Sequence, residues 1–238
     1  MLTHILMDAG WTLMFPDYDV LGDVAVQHGY DIPQVAWERA GAEFVKRYDD
    51  LVQGGPGGWD FCEFLAWILL RVGVRPKDSS AMISELQARD AQVSLWAYVH
   101  PWLHPALQRL RQQGYQLSVI SNADGRVAEG LARLGLAQYF DQVFDSAVVG
   151  FSKPDVRLFE HALCGLAVSP EQCLYVGDMY SVDVLGANRA GIAAVHLDPY
   201  ELYRGWPGIR LPSVAELPSF LASNPDLHDP AFFPLTGH

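Results

Sequence analysis

Five positions carry side chains that could do chemistry together: Asp8, Ser121, Lys153, Asp178 and Asp183. Each lies just past a short apolar run. Asp8 follows His4 to Met7, Ser121-Asn122 follows Leu117 to Ile120, Lys153 lies beyond Val143 to Ala147, and Gly177-Asp178 follows Cys173 to Val176. If those runs are parallel strands, the polar residues gather at their carboxyl ends, where open α/β sheets bind ligands. A carboxylate, a hydroxyl, an ammonium and two more carboxylates would then share one rim. Three acids so placed repel one another unless a cation joins them. Singly, each residue also has a structural reading. Asp8 could cap a turn, Ser121 could cap the next helix, Lys153 could be a solvated loop lysine, and Asp183 could complement a helix N-terminus. It is their joint placement that favours a site.

The elements that must hold these residues are legible as an alternation. Candidate strands are His4 to Met7, Gln116 to Ile120, Val143 to Ala147, Cys173 to Val176 and Ala193 to Leu197. Amphipathic helices are expected between the later ones: Arg126 to Leu134, stopping at Gly135; Pro154 to Leu166, with proline in a first turn; and Val182 to Ala190, stopping at Gly191. This is the βαβ pattern of a parallel sheet. More than a hundred residues separate Met7 from Gln116, far beyond one crossover. Within them four helices are expected: Val20 to His28, Gln34 to Leu51, Trp59 to Val72 and Asp78 to Val93. The aromatic residues Trp37, Phe44, Trp59, Phe61, Phe64 and Trp67 recur there at spacings that suit a helical core. The Gly54-Gly55-Pro56-Gly57-Gly58 cluster is either a plain helix–helix turn or a loop dipping toward the site. The fold class is therefore α/β: a Rossmann-like core of residues 1–15 and 95–238, with an all-helical cap of residues 16–94 inserted after the first strand. A short helix is expected over Leu211 to Leu221, and a proline-rich tail from Pro225.

Composition narrows the function classes. The chain has 238 residues, half of them hydrophobic, which suffices for real cores and argues against disorder. Sixteen basic residues against 28 acids give a formal charge of −12, and no run of Lys or Arg offsets it, so nucleic acid and anionic membrane are not expected partners. No apolar run approaches the roughly 20 residues of a membrane span. The first residues lack a signal-peptide pattern, and the three cysteines (Cys62, Cys164, Cys173) form neither a disulfide framework nor a metal motif. A cytoplasmic setting is the expectation.

The same residues, in order, resemble a known family. Asp8-Ala9-Gly10-Trp11-Thr12-Leu13 resembles the first motif of the haloacid dehalogenase-like superfamily, and Ser121-Asn122 the second. Gly150-Phe151-Ser152-Lys153-Pro154-Asp155 resembles its lysine motif, and Gly177-Asp178-Met179-Tyr180-Ser181-Val182-Asp183 its acidic fourth. The spacing matches over residues 1 to about 200, including an insertion where the family places a C1-type helical cap. The resemblance implies a hydrolase in which Asp8 attacks phosphorus and forms an aspartyl-phosphate. It implies Mg²⁺ held by Asp8, the Gly10 carbonyl and Asp178, with Asp183 bound directly or through water. Lys153 would offset charge, while Ser121 and backbone amides near Ala9 and Asn122 hold the phosphoryl oxygens and Thr12 orients the first loop.

One departure stands out. Phosphatases of this family usually carry a second aspartate two residues after the nucleophile, as general acid and base; here that position is Gly10. Trp11 replaces the usual small residue beside it. A metal-dependent phosphatase acting on a small phosphorylated metabolite is the leading expectation. A dehalogenase would share Asp8-Ala9 but use no metal. A phosphonate hydrolase would need a cap lysine, for which Lys46 and Lys77 are the candidates. A phosphate-sensing or partner-binding relative without turnover is the third reading.

Overall fold

The computed structural model describes residues 1–52, 60–224 and 227. The strands, in chain order, are β1 (His4–Met7), β2 (Phe15–Pro16), β3 (Trp96–Tyr98), β4 (Gln116–Ser121), β5 (Gln142–Asp145), β6 (Cys173–Gly177), β7 (Ala193–Leu197) and β8 (Ile209–Leu211). The helices are α1 (Tyr18–Gln27), α2 (Gln34–Val52), α3 (Phe61–Arg71), α4 (Pro76–Gln92), α5 (Leu103–Gln112), α6 (Val127–Arg133), α7 (Ser146–Val149), α8 (Val156–Leu166), α9 (Leu185–Arg189) and α10 (Leu217–Ser223).

Among the described residues, six strands make one sheet in the order β5-β4-β1-β6-β7-β8. Every pairing in it is parallel, with His4 opposite both Gln116 and Cys173. Such a sheet is covered on both faces, so its strands are apolar runs and successive residues feed opposite cores. Ile5 and Met7 of β1 pack with Leu117, Val119, Leu174 and Val176, under α5, α6 and α10. Leu6, between them, packs with Ile120 and Tyr175 on the other face, under α8 and α9. The chain leaves β1 toward β4 and β5, then returns to β6 on β1's opposite side. This reversal opens a crevice at the carboxyl end of β1, where Asp8 stands.

Helices α1 to α4 build a separate apolar cluster around Leu21, Val24, Trp37, Phe44, Phe64, Leu65, Ile68 and Met82. Asp17 starts α1 by accepting from the Val20 amide, and Asp60 starts α3 by accepting from those of Cys62 and Glu63. β2 and β3 pair antiparallel, a two-stranded ribbon on either side of the helical segment that the sequence did not announce. Among the described residues no helix is long and apolar enough to cross a membrane.

Three local expectations are corrected. The expected strand through Ala147 ends at Asp145, because the Asp145 carboxylate accepts from the Ala147 amide and starts α7. The helix expected from Val182 begins earlier, as a π turn over Tyr180–Val184. The segment Leu211 to Leu221 is split between β8 and α10, which begins only at Leu217. The Gly54–Gly58 cluster, Trp59 and the expected tail lie outside the described residues, apart from Leu227, which is buried.

Candidate functional site

Asp8, Asp178 and Asp183 come together at the carboxyl ends of β1 and β6. A carboxylate oxygen from each lies within 4.8 Å of the others. Lys153 reaches this cluster from the loop before α8 and is almost wholly buried. Its Nζ donates to Asp8 Oδ1 at 2.6 Å, to Asp183 Oδ1 at 2.7 Å and to the Tyr175 hydroxyl at 2.8 Å. All three ammonium protons are thereby used. Among the described residues that leaves three carboxylates against one cation in a site largely withdrawn from water.

Supporting contacts fix each group. Asp183 also accepts from the Met179 amide at 3.0 Å, and a Cβ at Gly177 would collide with its carboxylate, so β6 must end in glycine there. His196 Nε2 donates to the Asp178 carbonyl at 2.8 Å. Asn122 clasps the backbone of Lys153, donating to its carbonyl at 2.9 Å and accepting from its amide at 2.7 Å. The Ser146 hydroxyl accepts from the Ala123 amide at 3.0 Å, tying α7 to the loop after β4.

The electrostatics follow from burial. Desolvation raises the pKa of Asp8 above its ordinary value; the Lys153 ammonium pulls it back, and the Asp183 charge raises it again. Desolvation, reinforced by Asp8 and Asp183, raises Asp178 further still, and its Oδ2 is buried with no partner among the described residues. Burial alone would lower Lys153, but attraction to Asp183 and Asp8 outweighs it and holds the ammonium protonated. A compact divalent cation fits this donor set: hard carboxylate oxygens, an orphaned one among them, carrying more negative charge than Lys153 offsets.

Above the cluster opens a cavity of about 580 Å³. It is lined by Asp8, Ala9, Gly10, Ser121, Asn122, Lys153, Asp178 and Asp183, so eight of the nine site residues expected from sequence share it. Thr12 does not. It is fully buried on the far side of the loop, and its hydroxyl makes no hydrogen bond among the described residues, so the expected orienting bond is missing. The loop is held instead by backbone bonds from the Leu13 and Met14 amides to the Ala9 carbonyl and from the Trp11 amide to the Met14 carbonyl. Aromatic residues Trp11, Tyr48, Phe61 and Trp96 form much of the wall facing α1 to α4. Lys46 and Lys77 are not in the lining; Lys46 pairs with Asp50 and sits over the Tyr203 and Trp206 rings, 5.1 and 4.8 Å from their centroids.

Tyr175, Asn122 as a clasp and His196 were not singled out from sequence. Tyr175 carried one weak signal: a phenol in the middle of a buried strand needs a polar partner.

A stretch of 133 residues is 34% identical to a glyceraldehyde 3-phosphate phosphatase of Methanopyrus kandleri, covering 55% of this chain and 56% of that one. A stretch of 101 residues is 40% identical to a phosphoserine phosphatase of Thermus thermophilus, covering 42% and 41%. The matched stretches thus span only about half the length of these curated relatives. Among solved structures, the putative HAD-hydrolase YfnB of Bacillus subtilis, described as bound to magnesium, superposes with a TM-score of 0.63 at 18% identity, over 93% of this chain and 99% of that one. A dehalogenase crystallised as an intermediate complex superposes at 0.62 with 19% identity, over 93% and 97%, so the shared fold does not separate the two chemistries. The model of one family, the haloacid dehalogenase-like hydrolases, matches residues 27–191, well over half of the sequence, and the chain belongs to that family.

Proposed function

We propose that the protein is a Mg²⁺-dependent phosphatase that handles a small phosphorylated substrate through an aspartyl-phosphate on Asp8, without the usual second carboxylic acid. The observation that carries this reading is the buried cluster of Asp8, Asp178 and Asp183 clamped by Lys153 at the floor of the cavity. Asp8, Asp178, Asp183 and the Gly10 carbonyl would hold the cation, which when bound neutralises their mutual repulsion and the charge of the phosphoryl group. Asp8 attacks phosphorus as a carboxylate, a form that its hydrogen bond from Lys153 favours, and the bond from phosphorus to the ester oxygen breaks. Water then attacks phosphorus, the bond to Asp8 breaks, and the carboxylate is regenerated with release of phosphate. Ser121 and the amides of the loops at Ala9 and Asn122 are assigned to the phosphoryl oxygens. Residues 16–94 act as a cap that closes over the cavity, with the β2–β3 ribbon as its hinge. Three free cysteines agree with a reducing, cytoplasmic setting.

The paired Asp178 and Asp183 argue against a metal-free dehalogenase, and a phosphonate hydrolase would need a lysine in the cap-side lining, where neither candidate stands. A screen of phosphorylated metabolites with Mg²⁺, beside Asp8→Asn, tests the proposal. Hydrolysis of at least one, abolished in the variant and by chelator, supports it. Phosphate-ester binding without turnover would instead favour a sensing role.

A further inference from the structure

Helix α2 has two buried faces that go to different places. Trp37, Ala40 and Phe44 belong to the apolar cluster of α1 to α4. Gly41 and Asp49, two four-residue steps apart and therefore on one face, meet the loop after β1 and the turn after β6. At Gly41 the Trp11 indole lies so close that a Cβ would collide with it. Trp11 is in the left-handed region at φ 53°, a conformation unfavourable for an L-residue, and the notch at Gly41 is what accommodates its ring. At Asp49 the carboxylate is fully buried. It accepts from the Tyr180 amide at 2.7 Å, the Ser181 amide at 2.8 Å and the Ser181 hydroxyl. No salt bridge to Asp49 occurs among the described residues, so those donors are its main compensation for lost water.

The donors sit between Asp178 and Asp183 in sequence, at the start of the π turn, where the first amides of any helical turn lack partners within it. A carboxylate from the helical segment therefore holds the backbone of the turn that follows Asp178 and carries Asp183. We infer that Asp49 is a positioning residue for the acid cluster: by holding the Tyr180 and Ser181 amides from α2, it makes docking of the helical segment a condition for a formed Asp178–Asp183 site. Withdrawal of α2 would strip the donors from a buried carboxylate and free the turn together, so the two events are coupled. The Trp11–Gly41 contact extends the coupling to the loop of Asp8. The metal half of this inference rests on the Mg²⁺-dependent reading above.

Asp49→Asn keeps the size of the side chain but turns an acceptor into an NH₂ group facing N–H donors. Two readouts are taken on the full chain: amide exchange at Tyr180 and Ser181 in metal-free protein, and Mg²⁺ affinity by calorimetry without substrate. Protection of both amides is expected to fall, and Mg²⁺ to bind about 10- to 100-fold more weakly, the usual effect of losing a group that orients metal ligands. Ser181→Ala, which removes one bond and folds without a buried mismatch, is expected to shift both readouts the same way by less, and it carries the test if Asp49→Asn does not fold. Wild-type protection and wild-type Mg²⁺ affinity in a folded variant would overturn the inference. Should the wild-type protein take up no Mg²⁺, the metal reading fails. The exchange data then decide alone: lost protection upholds the role of Asp49, and unchanged protection refutes it.

Discussion

Restoring an aspartate at Gly10 probes the chemistry most particular to this chain. The φ of Gly10 lies outside the left-handed range, so its backbone admits an L side chain. Among the described residues a Cβ there would meet only the Trp96 ring, at 3.6 and 3.8 Å, which is ordinary van der Waals contact. The carboxyl group must turn from that indole into the cavity of about 580 Å³ that Gly10 already lines. A well-placed general acid is worth roughly 10² to 10⁴ in rate, or about 3–5 kcal/mol of barrier. An introduced acid without tuned surroundings should recover about a tenth of that effect. For a sugar phosphate, whose alkoxide leaves badly without a proton, Gly10→Asp is expected to raise kcat/KM by about 10- to 1,000-fold. For an aryl phosphate, whose oxygen leaves unaided, the gain should stay within about threefold. The wild-type protein should accordingly prefer aryl and acyl phosphates, and its phosphoenzyme should outlast that of the variant. The assay is kcat/KM on one aryl and one sugar phosphate for both proteins, with melting temperature confirming the fold. Unchanged selectivity in a folded variant would refute the reasoning and place the proton donor elsewhere on the chain.

Lys153→Met removes the cation that Asp8 and Asp183 share, leaving buried acids uncompensated; urea unfolding in chelator should show a loss of about 3–5 kcal/mol, partly restored by Mg²⁺. The pKa values of Asp8 and Asp178 are raised in the folded, metal-free chain, so above the ordinary carboxylate value of 3.8 the folded state holds protons that the unfolded state has released. Metal-free stability from these groups therefore falls as pH rises through that window, and the melting-temperature increment given by Mg²⁺ should grow between about pH 5 and about pH 8; an increment flat in pH would contradict it. Burial pushes the Cys173 thiol up to about 12, so it should stay unreactive toward a thiol reagent in the native protein while the exposed Cys164 reacts, and should titrate only on unfolding.

Five of the six strands of the sheet were legible because a parallel sheet buried on both faces demands apolar runs, and the functional residues punctuate their ends, whereas the three-residue edge strand β8 carried no such run. Helix ends were legible for a related reason: Gly29, Gly73, Gly135 and Gly191 all adopt the positive φ that stops a helix. The β2–β3 ribbon was hidden because strands of two and three residues carry no periodicity. Ser146 and Ala147 read as strand because the role of Asp145, accepting the Ala147 amide, depends on the turn that it creates. Tyr175 looked like one more strand residue until the fold set its hydroxyl beside Lys153. Asp49 was invisible, since its partner amides lie 131 and 132 residues away and no local pattern marks a buried carboxylate without a cation. Thr12 misled in the opposite direction: its motif position suggested an orienting hydrogen bond, but the backbone bonds of residues 9–14 hold the loop without it.

The central claim is that phosphoryl transfer passes through Asp8 with a divalent cation in place. It is tested most directly by acid-quenching the protein during turnover of an aryl phosphate with Mg²⁺ and locating the phosphoryl group by peptide mass spectrometry. An acid-stable adduct is expected on the peptide that contains Asp8, absent in excess chelator and absent in Asp8→Asn. Undiminished turnover in chelator, or a phosphoryl group found on any other residue, would contradict it.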